Sequence, residues 1–111
     1  KEVGMKKIDL FCSAGMSTSM LANKMQEVAD AHGIQVKVEA FSSTAIDFQV
    51  EHDTPDCILL GPQVRFSFDD VNAKYGAKIP VGVIESADYG NLNGERVLKM
   101  AISLIKRGST A

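Results

Sequence analysis

The chain has 111 residues, of which 45% are hydrophobic and 23% charged, so it is long enough to fold as one small domain around a single core. Its 12 basic and 14 acidic residues nearly balance and form no basic run, which argues against a nucleic-acid-binding protein. Apolar runs are far shorter than a membrane span and no signal peptide is visible, so we expect a cytoplasmic protein that is not inserted in a membrane.

The two cysteines, Cys12 and Cys57, lack the spacing of a metal site or of a dithiol redox motif. We therefore expect two free thiols and no bound metal. Met5 followed by two lysines is typical of a natural start, which predicts that residues 1–4 are an appended remnant or a disordered tail. Residues 5–107 are then expected to form the single domain, and residues 108–111 a C-terminal tail.

The first part of the chain is predicted to fold as a strand and a helix. Residues 7–12 alternate in polarity, which predicts a strand with Ile8, Leu10 and Cys12 on one face and Asp9 on the other. The helix that follows has an inward stripe at helical spacing, made of Leu21, Met25, Val28, Ala29 and His32. Its outer face carries the polar residues Asn23, Lys24, Gln26, Glu27 and Asp30.

Gly33 predicts the end of this helix, because glycine is common at helix C-termini, and a second strand follows. Residues 35–41 alternate between apolar and polar side chains, which is typical of an edge strand with one solvent-facing side. Residues 45–51 fit the period of a strand as well as that of a helix, and we interpret them as a short helix. Residues 57–60 form an unbroken apolar run, which predicts a central strand covered on both faces.

Gly61 and Pro62 end the third strand, and proline suits the first position of the next helix. The inward stripe of that helix is Val64, Phe68, Val71 and Tyr75. Residues 79–84 predict a fourth strand, and residues 85–91 a polar loop. Asn93 is the expected cap of a last helix. The inner face of this last helix carries Val97, Leu98, Ala101 and Ile105.

Four strands that alternate with helices predict an α/β fold with one open parallel sheet, because parallel strands need crossover connections. With the second strand at the edge and the third in the centre, we expect the strand order 2-1-3-4, with helices on both faces. This arrangement is that of flavodoxin-like and low-molecular-weight phosphatase-like domains.

The main candidate for chemistry is the junction between the first strand and the first helix. It combines a thiol, small residues and hydroxyl residues in the order Cys12, Ser13, Ala14, Gly15, Met16, Ser17, Thr18 and Ser19. Such a loop can direct successive backbone N–H groups at an anion, and the helix adds its free N–H groups and its dipole. An ordinary capping turn with a half-buried thiol uses similar residues. The carboxyl edge of an open α/β sheet is where ligands bind, which favours a phosphoryl site with Cys12 as the nucleophile.

Several parts of the sequence together resemble a known family. They are residues 10–19, the turn Leu59-Leu60-Gly61-Pro62-Gln63, the pair Tyr89-Gly90, and Val97-Leu98-Lys99 in the last helix. They are similar to the IIB component of the bacterial sugar phosphotransferase system, in the lactose, cellobiose and chitobiose family. The likeness covers residues 7–106.

The resemblance implies a phosphotransferase that works through a phosphocysteine. Cys12 would take a phosphoryl group from a histidine of the IIA protein and pass it to a β-linked disaccharide of the cellobiose, chitobiose or lactose type, bound by the membrane transporter IIC. No cofactor is implied. The turn after the third strand and the late loop would lie on the surface that meets both partners, with Pro62, Gln63 and Tyr89 as candidate contacts.

Two other functions fit parts of the pattern. A low-molecular-weight tyrosine phosphatase has a similar cysteine loop, but it needs an arginine clamp at the position where Thr18 stands. Asp88 lies near the place of that family's general acid, and we interpret it as an ordinary loop residue. A flavodoxin-like module could hold the phosphate of FMN in residues 13–19, but the short chain without tryptophan and the thiol at the phosphate position disfavour it.

Overall fold

The four strands of the protein form one parallel sheet in the computed structural model, which describes residues 5–13 and 16–109. The strands are β1 (Lys6–Cys12), β2 (Val36–Ser42), β3 (Cys57–Leu60) and β4 (Val81–Val83). Their order is β2-β1-β3-β4, and each neighbouring pair is parallel. The predicted fold class and strand order are therefore confirmed.

Helices connect the strands on both faces of the sheet. They are α1 (Met16–Ala31), α2 (Ile46–His52), α3 (Phe68–Tyr75), α4 (Ser86–Gly90) and α5 (Gly94–Ser109). Short 3-10 turns precede α2 and α3, at Ser43–Ala45 and Pro62–Ser67. The ambiguous segment at residues 45–51 is thus helical, as predicted.

Two predicted caps lie at helix ends. Gly33 follows α1 with a φ of 66°, in the left-handed region that glycine enters without steric cost, and the amide of Ile34 donates to the carbonyl of Ala29 at 2.8 Å. Before α5, the side-chain carbonyl of Asn93 accepts a hydrogen bond from the amide of Arg96 at 3.1 Å. Local sequence therefore accounts for both ends.

The sheet has a hydrophobic cluster on each face, which explains why its central strands are apolar. On one face, α1 and α5 pack over a cluster that includes Ile8 and Leu10 of β1. On the other face, Phe11 and Ile58 join a second cluster with side chains of α2 and α3. β1 is consequently buried from residue 8 to residue 12, and Asp9 lies inside the protein.

Four details differ from the sequence prediction. Residues 85–91, expected as a polar loop, contain the short helix α4. β4 spans only Val81–Val83, within the predicted range 79–84, and Pro80 before its first residue has no N–H for the ladder. The predicted third helix is divided into a 3-10 turn and α3, and the turn itself is kinked at Val64, which departs from helical geometry with a φ of −119°. His32, placed on the inward stripe, is exposed and lies just after the last residue of α1.

The predicted tails at the two ends of the chain can be compared with the structure only in part. α5 continues to Ser109, two residues into the segment expected as a C-terminal tail. Residues 1–4, 110 and 111, which complete the two predicted tails, lie outside the described residues. The limits of the domain stay a prediction.

Three strands deliver the candidate site to one edge of the sheet. β1 ends at Cys12, β3 is followed by the turn that carries Gln63, and β4 is followed by α4 with Tyr89. Because the carboxyl ends of parallel strands meet at the same edge, these three side chains converge although they are distant in sequence.

Candidate active site

The thiol of Cys12 occupies a buried position at the carboxyl edge of the sheet, with only 2% of the residue exposed. Sγ donates a hydrogen bond to Oε1 of Gln63 at 3.1 Å, and it lies 3.6 Å from the hydroxyl oxygen of Tyr89. The sulfur is thus held between a carboxamide and a phenol. A reacting group can reach it only when a covering group moves.

Gly61 makes room for this sulfur. Its amide donates to the carbonyl of Phe11 at 2.8 Å, which continues the pairing of β1 with the end of β3. A Cβ atom at position 61 would lie 3.0 Å from Sγ of Cys12, closer than ordinary van der Waals contact. The glycine of the turn therefore allows the backbone to approach the thiol closely.

A pair of buried hydroxyls also flanks the thiol. Thr18, in the first turn of α1, is 3% exposed, and its Oγ1 lies 3.0 Å from the hydroxyl oxygen of Tyr89. Burial raises the pKa of Tyr89; the hydrogen bond with Thr18 lowers it, and the contact with Cys12 raises it again. The net pKa is raised, so the phenol stays protonated near neutral pH and can donate a hydrogen bond.

The predicted phosphate loop is described in part. Three of its hydroxyl residues are exposed: Ser13, Ser17 and Ser19. α1 begins at Met16, so the free N–H groups of its first turn follow shortly after the thiol. Ala14 and Gly15 lie outside the described residues. The role of residues 13–19 as an anion cradle stays a prediction.

The three candidate partner contacts have different environments. Gln63 is exposed, whereas Pro62 and Tyr89 are buried, so Tyr89 belongs to the surroundings of the thiol rather than to an outer rim. In the elements that follow β1 and β3, two apolar residues not singled out from the sequence are exposed, Met20 in α1 to 49% and Phe66 after β3 to 79%. Their closeness in sequence to the cysteine loop and to the turn after β3 is the signal that could have indicated them.

The remaining candidate residues have structural explanations. Cys57 is fully buried in β3, and burial, followed by the charges of Asp56 and Asp9, raises its pKa to about 12. Its thiol is therefore not ionised near neutral pH. Asp88 accepts a hydrogen bond from Nε of Arg96 at 2.9 Å, so the carboxylate considered as a phosphatase acid is engaged in an ion pair.

Two kinds of feature are not found in the described part of the chain. Across residues 5–13 and 16–109, no group of three or more His, Cys, Asp or Glu side chains is placed to hold a metal ion. Within the same ranges, no helix combines the length and the apolar character needed to cross a membrane.

An open parallel sheet with a cysteine between its first strand and first helix defines a class of α/β domains that includes phosphotransferase components and phosphatases. The family model described as "PTS system, Lactose/Cellobiose specific IIB subunit" matches residues 7–100. The chain therefore belongs to this family of IIB subunits, and its role is that of a phosphotransferase component. The family predicted from the cysteine stretch is confirmed.

Relatives from three bacterial strains match over nearly their whole length. The galactose-specific EIIB component of Lactococcus lactis subsp. cremoris (strain MG1363) is 41% identical over 104 residues, which cover 90% of this chain and 96% of the relative. The cellobiose-specific EIIB component of Lactococcus lactis subsp. lactis (strain IL1403) is also 41% identical, with the same coverage of 90% and 96%. The oligo-beta-mannoside-specific EIIB component of Bacillus subtilis (strain 168) is 34% identical over 102 residues, or 91% of this chain and 97% of the relative.

Two solved structures share the fold. The solution structure of the cellobiose-specific phosphotransferase IIB component from Borrelia burgdorferi has a TM-score of 0.77 at 36% identity, with 95% of each chain covered. The lactose-specific IIB component domain from Streptococcus pneumoniae has a TM-score of 0.73 at 20% identity, covering 89% of this chain and 96% of that one. The second likeness is one of fold alone.

Proposed function

We propose that this chain carries a phosphoryl group from a IIA protein to a sugar on a IIC transporter, and that Cys12 bears the group. The observation that carries the proposal is the setting of Cys12. Its thiol lies at the carboxyl edge of the sheet, shortly before the start of α1, and within hydrogen-bonding reach of Gln63 and Tyr89. Cys57, by contrast, lies in the core with a raised pKa.

Both transfer steps balance with one bond exchanged and one proton moved. In the first step, Sγ of Cys12 attacks the phosphorus of a phosphohistidine on IIA. The S–P bond forms, the P–N bond breaks with its electron pair going to the imidazole nitrogen, and the thiol proton ends on that imidazole. In the second step, a sugar hydroxyl oxygen attacks the phosphorus, the sulfur leaves with the electron pair of the S–P bond, and the hydroxyl proton restores the thiol.

The cysteine loop and the start of α1 are the proposed cradle for the transferred group. The first N–H groups of a helix have no partners within the helix, and they favour a bound anion. Residues 13–19 contain no Lys or Arg, so the loop itself offers dipoles and hydroxyls rather than a fixed cation. This hold suits a carrier that releases its group to an acceptor, whereas a phosphatase needs the arginine clamp to stabilise the transition state.

The names of the relatives point to a class of sugar. They are called galactose-specific, cellobiose-specific and oligo-beta-mannoside-specific components. We assign to this chain a β-linked sugar of the cellobiose, chitobiose or lactose type as the acceptor, selected by IIC. Release of the phosphoryl group to IIC vesicles should then require such a sugar, and release only to an α-linked sugar would contradict the assignment.

The exposed edge around Cys12 is the proposed meeting place with both partners, in the cytoplasm. Gln63, Met20 and Phe66 are exposed and follow the carboxyl ends of β1 and β3. Exposed aromatic side chains are typical anchors of protein interfaces. One surface must serve IIA and IIC in turn, so we expect a small and transient interface.

Intact-mass spectrometry tests the role of Cys12. The chain is incubated with the general phosphotransferase proteins, IIA and phosphoenolpyruvate, and it should gain one phosphoryl group that maps to Cys12. Cys12→Ser should gain none and keep its fold, because the change removes the nucleophile and little else. The matched control, Cys57→Ala, should still accept the group while losing about 1–2 kcal/mol of stability through a small core cavity.

The opposite pattern, in which a folded Cys57→Ala variant is inert and Cys12→Ser still accepts the group, would overturn the assignment. The isolated phosphoprotein should persist without an acceptor and should not turn over p-nitrophenyl phosphate. Rapid hydrolysis dependent on Cys12 and Asp88 would instead favour the phosphatase.

NMR tests the docking surface. The shift changes caused by adding IIA should cluster around Gln63, and a cluster at the opposite edge near Gly33 would contradict the docking surface.

A further inference from the structure

Two buried hydroxyl groups meet beside the thiol, and they come from parts of the chain that are distant in sequence. Thr18 belongs to the first turn of α1, and Tyr89 to α4, which follows the last strand. The residues are 3% and 8% exposed. Burying polar groups is unfavourable unless they find partners, and these two find each other at 3.0 Å with the sulfur of Cys12 at 3.6 Å from the phenol.

We infer that Tyr89 is a catalytic residue, whose hydroxyl donates a hydrogen bond to the sulfur of Cys12, and that Thr18 is a positioning residue that aims this hydroxyl. The inference rests on the proposed role of Cys12 as the phosphoryl carrier and assigns the groups that stabilise its sulfur during transfer.

The number of protons supports this direction of donation. The thiol has one proton and donates it to Gln63, so the contact between Sγ and the phenol is a hydrogen bond only when Tyr89 donates, and Tyr89 can then accept from Thr18. The thiol's own proton points to Oε1 of Gln63, an exposed residue. The buried side of the sulfur therefore receives a donor, while its proton lies on the side where the imidazole of a docked IIA protein would arrive to take it.

A donor at this place acts in both transfer steps. The sulfur develops negative charge when it gives up its proton and attacks, and again when it leaves the phosphorus for the sugar. A hydrogen bond to a charged atom is stronger than one to a neutral atom, so Tyr89 stabilises the reacting sulfur more than the resting thiol. Tyr89 keeps its proton throughout, because burial holds its pKa above the ordinary value.

The substitution Tyr89→Phe tests the donor, because it keeps the packed ring and removes only the hydroxyl. The rate of phosphorylation by phospho-IIA and the rate of release to sugar should both fall about 10- to 100-fold, as expected for one lost hydrogen bond to a charged group. Alkylation of Cys12 by iodoacetamide, followed by mass spectrometry, should move to higher pH by about one pH unit. The matched control is Tyr75→Phe, the other tyrosine, whose hydroxyl bonds Asp47 on the far surface and should affect neither rate nor alkylation.

The relay from Thr18 is tested by Thr18→Val, which has a similar shape without the hydroxyl. This variant should slow transfer less than Tyr89→Phe, and the double variant should be no slower than Tyr89→Phe alone, since Thr18 acts through Tyr89. Fully additive losses would refute the positioning role. A Tyr89→Phe variant with unchanged rates and an unchanged alkylation profile would refute the donor, even where wild-type Cys12 is phosphorylated. If wild-type Cys12 did not accept the phosphoryl group, the carrier function would be refuted instead. The alkylation profile would still test the hydrogen bond from Tyr89, because alkylation does not require phosphoryl transfer.

Discussion

Gly61 packs against the sulfur of Cys12, and this close contact explains why the residue is a glycine. Its φ of −66° and ψ of 157° are extended values that other residues adopt without strain. A side chain at this position lacks space, because its Cβ would lie 3.0 Å from Sγ and 3.2 Å from Oε1 of Gln63. The glycine is therefore explained by close approach, and an alanine there would disturb the thiol without changing the backbone.

We expect Gly61→Ala to slow phosphorylation of Cys12 about tenfold or more, because the added methyl group must push the sulfur or the carboxamide of Gln63 out of place. The protein should remain folded, with a stability loss of about 1–3 kcal/mol from overpacking. The matched control is Gly90→Ala, whose Cβ would meet nothing within 4 Å. Phosphorylation rates from quenched-flow mass spectrometry give the comparison, and equal rates for both variants would show that the reaction tolerates crowding here.

At the scale of secondary structure, the edge strand β2 is partnered by a side chain of α1. The amide of Lys6 donates to the carbonyl of Gln35, so Val36 and Val38 turn their backbone groups away from β1. Nε2 of Gln26 donates to the carbonyl of Val36 at 3.0 Å, and its Oε1 accepts from the amide of Val38 at 2.8 Å. The carboxamide thus takes the place that a peptide group of a further strand would occupy, and it blunts an edge open to association.

Replacing Gln26 by alanine should lower the free energy of unfolding by about 1–3 kcal/mol, because two backbone groups lose their partners. It should also increase self-association at high concentration, since the strand edge becomes available for pairing. Urea denaturation and light scattering measure the two effects. Gln35→Ala, which removes an exposed side chain at the same edge, is the control and should change stability by less than about 0.5 kcal/mol. Indistinguishable Gln26→Ala and Gln35→Ala proteins would mean that the carboxamide contributes nothing.

At the scale of the whole molecule, the sheet was predictable because two strands carry opposite signatures. The segment that became β2 alternates in polarity and belongs at an edge, and the unbroken apolar run of β3 belongs in the centre. Together with right-handed crossovers, these two assignments favour the order 2-1-3-4. The helical spacing of apolar residues predicted that Gln26 lies on the outer face of α1. This spacing shows which face of a helix is polar, but it does not show whether that face contacts solvent or the edge of a neighbouring strand.

The place of the candidate site in the fold was predictable from the sequence, but the contacts between its side chains were not. Cys12 and the start of α1 are neighbours along the chain, and topology brings the turns after β3 and β4 to the same edge. Which side chains then point inward depends on packing. α4 has five residues, too few for a periodic signal, and it turns Tyr89 toward Cys12 and Thr18 instead of outward to a partner.

Asp9 is the clearest case of an environment that the sequence pattern does not reveal. It is 0% exposed inside β1, and its Oδ2 has no hydrogen-bond partner among the described residues. Its Oδ1 accepts from Nζ of Lys7 at 2.5 Å, and the same Nζ lies 3.2 Å from Glu39 and 3.6 Å from Asp53. Three carboxylates therefore surround one ammonium group beside the central strands.

Burial raises the pKa of Asp9 to about 6 from an ordinary value of 3.8; the ion pair with Lys7 lowers it, and the charges of Glu39 and Asp53 raise it. Burial lowers the pKa of Lys7, but its bonds to Asp9 and Glu39 outweigh this, so Lys7 stays charged. The folded protein therefore binds the proton of Asp9 more tightly than the unfolded chain does. This contribution to stability is fully present below about pH 4 and is lost as the pH rises through about 6, with a total of about 3 kcal/mol.

The free energy of unfolding, measured in urea, should consequently decrease between pH 4.5 and 7.5 by about 2 kcal/mol more in the wild type than in Asp9→Asn. This difference is smaller than the total of about 3 kcal/mol because part of the loss of stability occurs below pH 4.5. The asparagine cannot ionise, so it removes the proton linkage whatever its effect on absolute stability. Glu27→Gln, at an exposed position of α1, is the control and should follow the wild-type curve. Burial, followed by the charges of Asp56 and Asp9, raises the pKa of Cys57 to about 12, so its thiol does not contribute in this range. The prediction would be contradicted if the free energies of unfolding of the wild type and of Asp9→Asn changed equally between pH 4.5 and 7.5. The pKa of the buried Asp9 would then not be raised, and Lys7 would fully compensate its charge.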